Sequence, residues 1–179
     1  GKMILEDQER RPLSYTDLIR ASFALGRKIA VLTTKGERVA VLLPTSSGAV
    51  VTFFALHAYG RTPTMLNFTS GIRNLKAACK TAGIKRILTA RRFIDQAKLE
   101  DIVDAFEGVY EITYLEDIRK TVGALDKAYA LAAGLAPRKF AAPAKPGDPG
   151  VILFTSGSFG APRGVVLSQA NLLANVDQV

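Results

Sequence analysis

The densest chemistry in this 179-residue chain lies in Thr155–Gly164, TSGSFGAPRG, where three hydroxyls, three glycines and one cation occupy seven of ten positions. Glycines let a backbone turn its N–H groups toward a ligand at positive φ, and hydroxyls add short donors. Arg163 ends the run with a charge suited to phosphate. The candidate site is therefore Arg163 as the catalytic cation, with Thr155, Ser156, Gly157, Ser158, Gly160 and Gly164 as phosphate-binding groups. Gly157 and Gly160 are expected where a Cβ would block positive φ or the approach of phosphate. The bland alternative is a surface turn of small residues carrying a solvated arginine. Neither GxxxxGK[ST] nor GxGxxG is present. The GxSxG elbow fails too, because Ser156 stands where Ser158 would need its first glycine.

Two well-marked elements must hold this loop. Val151–Phe154 is a short apolar run with strand character, and Val165–Leu167 returns to strand-like residues before Ser168 starts a helical pattern. Upstream, Ser14 and Asp17 form a capping-box pair that predicts a helix through about Leu32. Arg38–Leu43, closed by Pro44, reads as a buried parallel strand, and Ser46–Tyr59 as a helix apolar nearly all round and so buried. Further strands are expected at Thr64–Leu66, Arg86–Thr89 and Glu111–Tyr114. Helices are expected at Ile72–Ala82 (closed by Gly83), Asp95–Phe106, Leu115–Lys120 and Thr121–Ala133 (ending at Gly134). Strands alternating with helices predict an α/β fold with a mostly parallel sheet and flanking helices. Arg138–Gly150 is linker-like, and Val151–Phe154 is expected to rejoin the same sheet. Ligands of such a sheet sit at the carboxyl ends of its strands, which is where the loop after Phe154 falls.

The run Thr155–Gly164 resembles the signature of the adenylate-forming (AMP-binding) enzymes, roughly TSG-[ST]-[ST]-G-x-P-K-G, in seven typed positions. Phe159 stands where that family has Thr, Ser or an acidic residue, and Arg163 replaces its lysine. Glu37–Pro44 (ERVAVLLP), Gly60–Phe68 (GRTPTMLNF) and Lys85–Arg91 (KRILTAR) look like the N-terminal part of the same family. Phe154–Gln178 is similar to the branch in which an acyl-carrier-protein synthetase is joined to an acyltransferase that recycles bacterial lysophospholipids. The resemblance implies a ligase that uses ATP and Mg to convert a fatty acid to an acyl-adenylate, then passes the acyl group to acyl carrier protein or CoA. It implies that the matched loop holds the β and γ phosphates. It also makes residues 1–179 the N-terminal subdomain portion of an AMP-binding domain, with 138–150 linker-like and 151–175 carrying the loop. The stop at Val179, inside a helical pattern, fits a portion that is inactive alone.

The remaining candidates are weaker. His57 is the only histidine, four residues after Phe53, and reads as a packed helix-face residue. A serine hydrolase would need it as base for Ser156 or Ser158, and a non-catalytic α/β nucleotide-binding or scaffold module would fit the same elements. Cys79 lies beside Ala77 and Ala78 as a buried inert thiol, and one cysteine excludes an internal disulfide. No His/Cys/Asp grouping has metal-ligand spacing.

The net charge of +8 predicts a basic surface able to meet ATP, an acidic carrier protein or an anionic membrane. Basic residues are dispersed rather than interleaved with aromatics, which argues against nucleic acid. No signal peptide is read in GKMILEDQERR. Ala49–Ala58, the longest apolar stretch, is far short of the ~20 residues that span a bilayer. The expectation is a soluble cytoplasmic protein, with membrane-surface association at the inner face of the bacterial inner membrane open to the whole enzyme.

Overall fold

Ser14 starts the first long helix by satisfying two orphan groups at once. Its hydroxyl accepts the Asp17 amide at 3.2 Å, and the Asp17 carboxylate accepts the Ser14 amide at 3.3 Å. Helix α1 then runs over Tyr15–Leu32. A computed structural model describes residues 3–5, 12–155 and 162–177. Before α1, β1 (Met3–Leu5) and β2 (Leu13–Ser14) form a small antiparallel pair that the sequence pattern did not reveal.

The main sheet holds β3 (Arg38–Val41), β4 (Thr62–Met65), β5 (Arg86–Thr89), β6 (Glu111–Tyr114), β7 (Pro149–Thr155) and β8 (Arg163–Ser168). Their order is β6-β5-β3-β4-β7-β8. Every neighbouring pair is parallel except β7 with β8, which is antiparallel. The expected α/β fold, with its mostly parallel sheet, is therefore what forms, and Val151–Phe154 does rejoin that sheet.

The core divides by the period-2 alternation of the strands. Ala40, Leu42 and Ile87 face α3 (Ile72–Ala82), where they meet Leu75, Ala78, Cys79 and Ala82. Val39, Val41, Leu43 and Leu88 face the opposite way, against α1, α2 (Ser47–Ala58) and α6 (Leu115–Lys120). Helices thus cover both faces of a nearly continuous apolar strand set, as a parallel sheet requires. α7 (Ala124–Leu135) packs on α1 through Phe23, Ala130 and Ala133. α8 (Pro137–Phe140) is one short turn within the linker-like stretch, and α9 (Gln169–Asp177) follows β8.

Three expectations need correction. The helix read over Asp95–Phe106 is two, α4 (Arg91–Ala97) and α5 (Glu100–Phe106), broken where Lys98 takes φ 53°. The break lets Ile94 from one piece and Ile102 and Phe106 from the other enter the same core. α7 begins only after Gly123 and continues through Gly134, because Thr121 instead closes α6 through its amide to Ile118. At Gly134 a Cβ would lie 3.0 Å from Arg20 Cγ, so the glycine serves close helix packing rather than termination. α2 is not buried all round: Phe54 is 47% exposed on its outer side.

Candidate functional site

A hairpin at the sheet edge carries the candidate loop. β7 runs parallel to β4, so its carboxyl end lies on the same side of the sheet as those of β3 and β4. Ser46 caps α2 just after β3, accepting the Ala49 amide at 3.2 Å. Asn67 follows β4 and accepts both the amide and the hydroxyl of Thr69, at 3.0 and 2.8 Å. That polar turn was missed in the sequence, although Asn-Phe-Thr-Ser after an apolar run is an Asx-turn signal. The chain leaves the sheet at Thr155 and re-enters at Arg163, residues paired in the antiparallel register. Directly opposed residues present their side chains on one face, so the Thr155 hydroxyl and the Arg163 guanidinium share a face.

Both residues are exposed, and among the described residues nothing pairs with the Arg163 guanidinium. Behind them the hairpin is anchored. Phe154 packs against the Ile152 side of the core, opposite Gly164. A Cβ on Gly164 would meet Phe154 Cε1 at 3.3 Å, so this glycine makes room for the ring beside the site. Ser168 then caps α9: its hydroxyl accepts the Asn171 amide at 3.2 Å, and the Asn171 side chain accepts the Ser168 amide at 2.9 Å. Of the residues singled out from sequence, Thr155, Arg163 and Gly164 are brought together here. Ser156, Gly157, Ser158, Phe159 and Gly160, with the expectation of positive φ at two of the glycines, lie outside the described residues.

His57 sits elsewhere. Its Nδ1 is 3.2 Å from the Gln169 amide nitrogen, which also approaches the Pro149 carbonyl at 3.4 Å. That contact is at the start of β7, whereas Thr155 is at its end, six residues further and about 20 Å at the rise of an extended strand. Ser156 and Ser158, the nucleophiles a hydrolase would pair with His57, lie outside the described residues. Cys79 is fully buried, and burial pushes its thiol up to about 12, which makes it the inert packing residue expected. Among the described residues no group of three or more His, Cys, Asp or Glu could hold a metal ion.

Two basic residues flanking β5 are paired within the fold. Arg86 pairs with Glu111 and donates to Thr113 Oγ1 at 2.6 Å. Arg91 pairs with Asp117 at 2.7 Å and lies 3.9 Å from the Tyr114 ring centre. Its hydrogen bond to Asp117 raises the guanidinium above its ordinary range. These residues form a structural pair of bridges, not an open basic stripe. No helix among the described residues is long and apolar enough to cross a membrane.

Comparison with known proteins bears on the whole chain. Residues 1–179 match the family profile described as AMP-binding enzyme. A relative from Oryza sativa subsp. japonica, 4-coumarate–CoA ligase 2, is 29% identical over 154 residues, covering 80% of this chain and 26% of its own length. The peroxisomal long chain acyl-CoA synthetase 6 of Arabidopsis thaliana is 55% identical over 40 residues, 22% of this chain and 6% of that protein. Among solved structures, o-succinylbenzoate CoA synthetase from Bacillus subtilis, in complex with its acyl-adenylate intermediate, superposes with a TM-score of 0.72 at 17% identity. It covers 95% of this chain and 40% of the synthetase, a likeness of fold. The chain thus spans well under half the length of each of these proteins.

Proposed function

The chain belongs to the AMP-binding enzyme family, and from that premise we propose that its β7–β8 hairpin is the phosphate-holding element of an ATP-dependent acid–thiol ligase. One observation carries the reading: an exposed hydroxyl and an exposed guanidinium, Thr155 and Arg163, face the same way across the hairpin mouth at the carboxyl edge of the sheet. A triphosphate fits that pair. The guanidinium is a fixed cation with several donors, and it has no carboxylate partner among the described residues to displace first.

In the reaction proposed, a carboxylate oxygen attacks the α-phosphorus of ATP, and the bond to the departing pyrophosphate breaks. A thiol then attacks the acyl carbon and AMP leaves. Ser156, Gly157, Ser158 and Gly160 would add hydroxyl and backbone donors around the β and γ phosphates. Arg163 would neutralise charge that grows on the leaving pyrophosphate, and Thr155 would orient it. Gly164 keeps the Phe154 ring, and with it the sheet edge, in register behind them. Mg would come held by the phosphates themselves.

The finer reading is a fatty acid as substrate and acyl carrier protein or CoA as acceptor, in a cytoplasmic enzyme whose acyltransferase partner would bring it to the membrane surface. Residues 1–179 would be the N-terminal portion of the catalytic domain. The similarity of Phe154–Gln178 to the acyl-carrier-protein synthetase branch supports this choice. It is tested by offering the complete enzyme carboxylates of graded chain length with either acceptor and measuring AMP release. Faster turnover with long-chain acids and carrier protein supports it, and preference for short or aromatic acids with CoA overturns it.

A further inference from the structure

We propose that His57 is a proton-sensitive latch that fastens the base of the β7–β8 hairpin and the start of α9 to α2. This rests on the geometry of the hairpin base and does not depend on what the loop binds. The His57 ring leaves α2 beside the Phe53 ring, with centroids 4.6 Å apart, and reaches the Gln169 amide at 3.2 Å. Gln169 is the first residue of α9. Its backbone amide donates to the Asp148 carbonyl at 2.9 Å, and the Ala170 amide donates to the Pro146 carbonyl at 2.9 Å. Gly150 leaves no slack between these segments, since a Cβ there would lie 3.0 Å from the Ser168 carbonyl and 2.7 Å from Leu172. Both ends of the hairpin therefore converge on one side chain of α2.

The hydrogen-bond arithmetic makes the contact depend on protonation. With the Gln169 amide nitrogen turned to the Pro149 carbonyl and to His57 Nδ1, the ring must accept at Nδ1 and carry its hydrogen at Nε2. Nε2 is buried and has no hydrogen-bond partner among the described residues. A second proton would set an N–H at Nδ1 against an amide N–H. Reversing the amide would instead bring its oxygen against the Pro149 carbonyl oxygen. The first breaks the His57 contact and the second gives up the Pro149 contact, so the three-way bridge is lost in both.

No charged group offsets this. α2 has no other titratable residue, β7 has none, and α9 carries only Asp177 at its far end. In the preceding loop the Asp148 carboxylate already accepts the Lys145 amide at 2.7 Å. Burial holds the imidazole below its ordinary 6.5, with the Gly150 backbone acting the other way. The folded value is thus below the unfolded one. The bridge is at full strength above pH 6.5 and is lost as the pH falls through the folded value.

Nitrogen-detected NMR of the imidazole in the wild-type chain tests the tautomer and titration directly. The latch requires a neutral ring protonated at Nε2 that titrates below 6.5. Titration at or above that value, or a hydrogen on Nδ1, overturns it. Hydrogen exchange supplies the second readout. After correction for intrinsic rates, opening at the Gln169 and Ala170 amides should rise at least about threefold from about pH 7 to about pH 5, with Leu25 and Ile29 of α1 unchanged. In His57→Gln, or in His57→Leu should the first fail to fold, that rise should vanish. A rise that persists in either folded variant overturns the proposal.

Discussion

Thr155 and Arg163 oppose each other at the last paired position of the β7–β8 hairpin, so the two ends of the candidate loop are held one strand spacing apart. At that spacing, about 5 Å, one tetrahedral phosphate oxygen cluster can be reached from both sides. Phe154 opposite Gly164, one position back, fixes the register by packing.

Hairpin rigidity gives the first prediction. Gly150→Ala places a Cβ against the Ser168 and Leu167 carbonyls, at 3.0 and 3.1 Å, and against Leu172 at 2.7 Å. The backbone oxygens cannot step aside as a side chain can. The substitution should destabilise by about 1–3 kcal/mol in denaturant unfolding. A neutral result would mean that the base of the hairpin has slack.

Helix packing gives the second. At Gly26 a Cβ would meet the Ala55 carbonyl at 2.6 Å and the Tyr59 ring at 2.6 Å, so α1 and α2 touch there backbone to backbone. Gly26→Ala should lower the unfolding free energy by about 1–3 kcal/mol, seen as a lower urea midpoint with the slope unchanged. Retained stability would contradict the close crossing.

Acid should weaken the α1–α7 contact. Asp126 is 5% exposed and pairs with Lys28 at 2.8 Å and Arg27 at 3.1 Å, and it accepts the Gly123 amide at 2.9 Å. The Lys28 hydrogen bond, then the Gly123 amide and then Arg27 hold the carboxyl below 3.8. Its stabilisation is present above that value and is lost as pH falls through the lower folded one. Asp126→Asn should lower the thermal midpoint at neutral pH, and the gap from wild type should close in acid. A gap independent of pH would show that the charge is not what matters.

Much of this was legible in the sequence because strong local signals agreed with the fold. Ser14–Asp17, the apolar run after Arg38, and Ile72–Ala82 closed by Gly83 each carry their own start or stop chemistry. What escaped was decided by tertiary packing. Lys98 breaks a helix whose periodicity runs on, because two apolar faces must meet one core. Gly134 sits inside a helix, with the Arg20 side chain lying over it. At the candidate site, the strands on either side of the loop were legible, but the facing of Thr155 and Arg163 depends on a register that no local pattern encodes. His57 was read as a packed helix residue, and its bridge to Gln169 spans 112 positions.

The chain alone should bind ATP weakly. It spans 26% of the rice ligase and 40% of the bacterial synthetase, and its candidate site offers groups for phosphate alone. Phosphate contacts by themselves offset little of the cost of immobilising the ligand, so calorimetry should give an affinity no better than about millimolar. Micromolar binding would mean that residues 1–179 already hold a nucleoside site.

The phosphate role of the hairpin is tested most directly at Arg163 in the complete enzyme, by following pyrophosphate release with saturating carboxylate. Arg163→Ala should slow release at least about tenfold, a barrier increase of about 1.4 kcal/mol, with Arg163→Lys recovering much of the loss and both variants melting as wild type does. An Arg163→Ala enzyme that releases pyrophosphate at the wild-type rate would contradict the assignment.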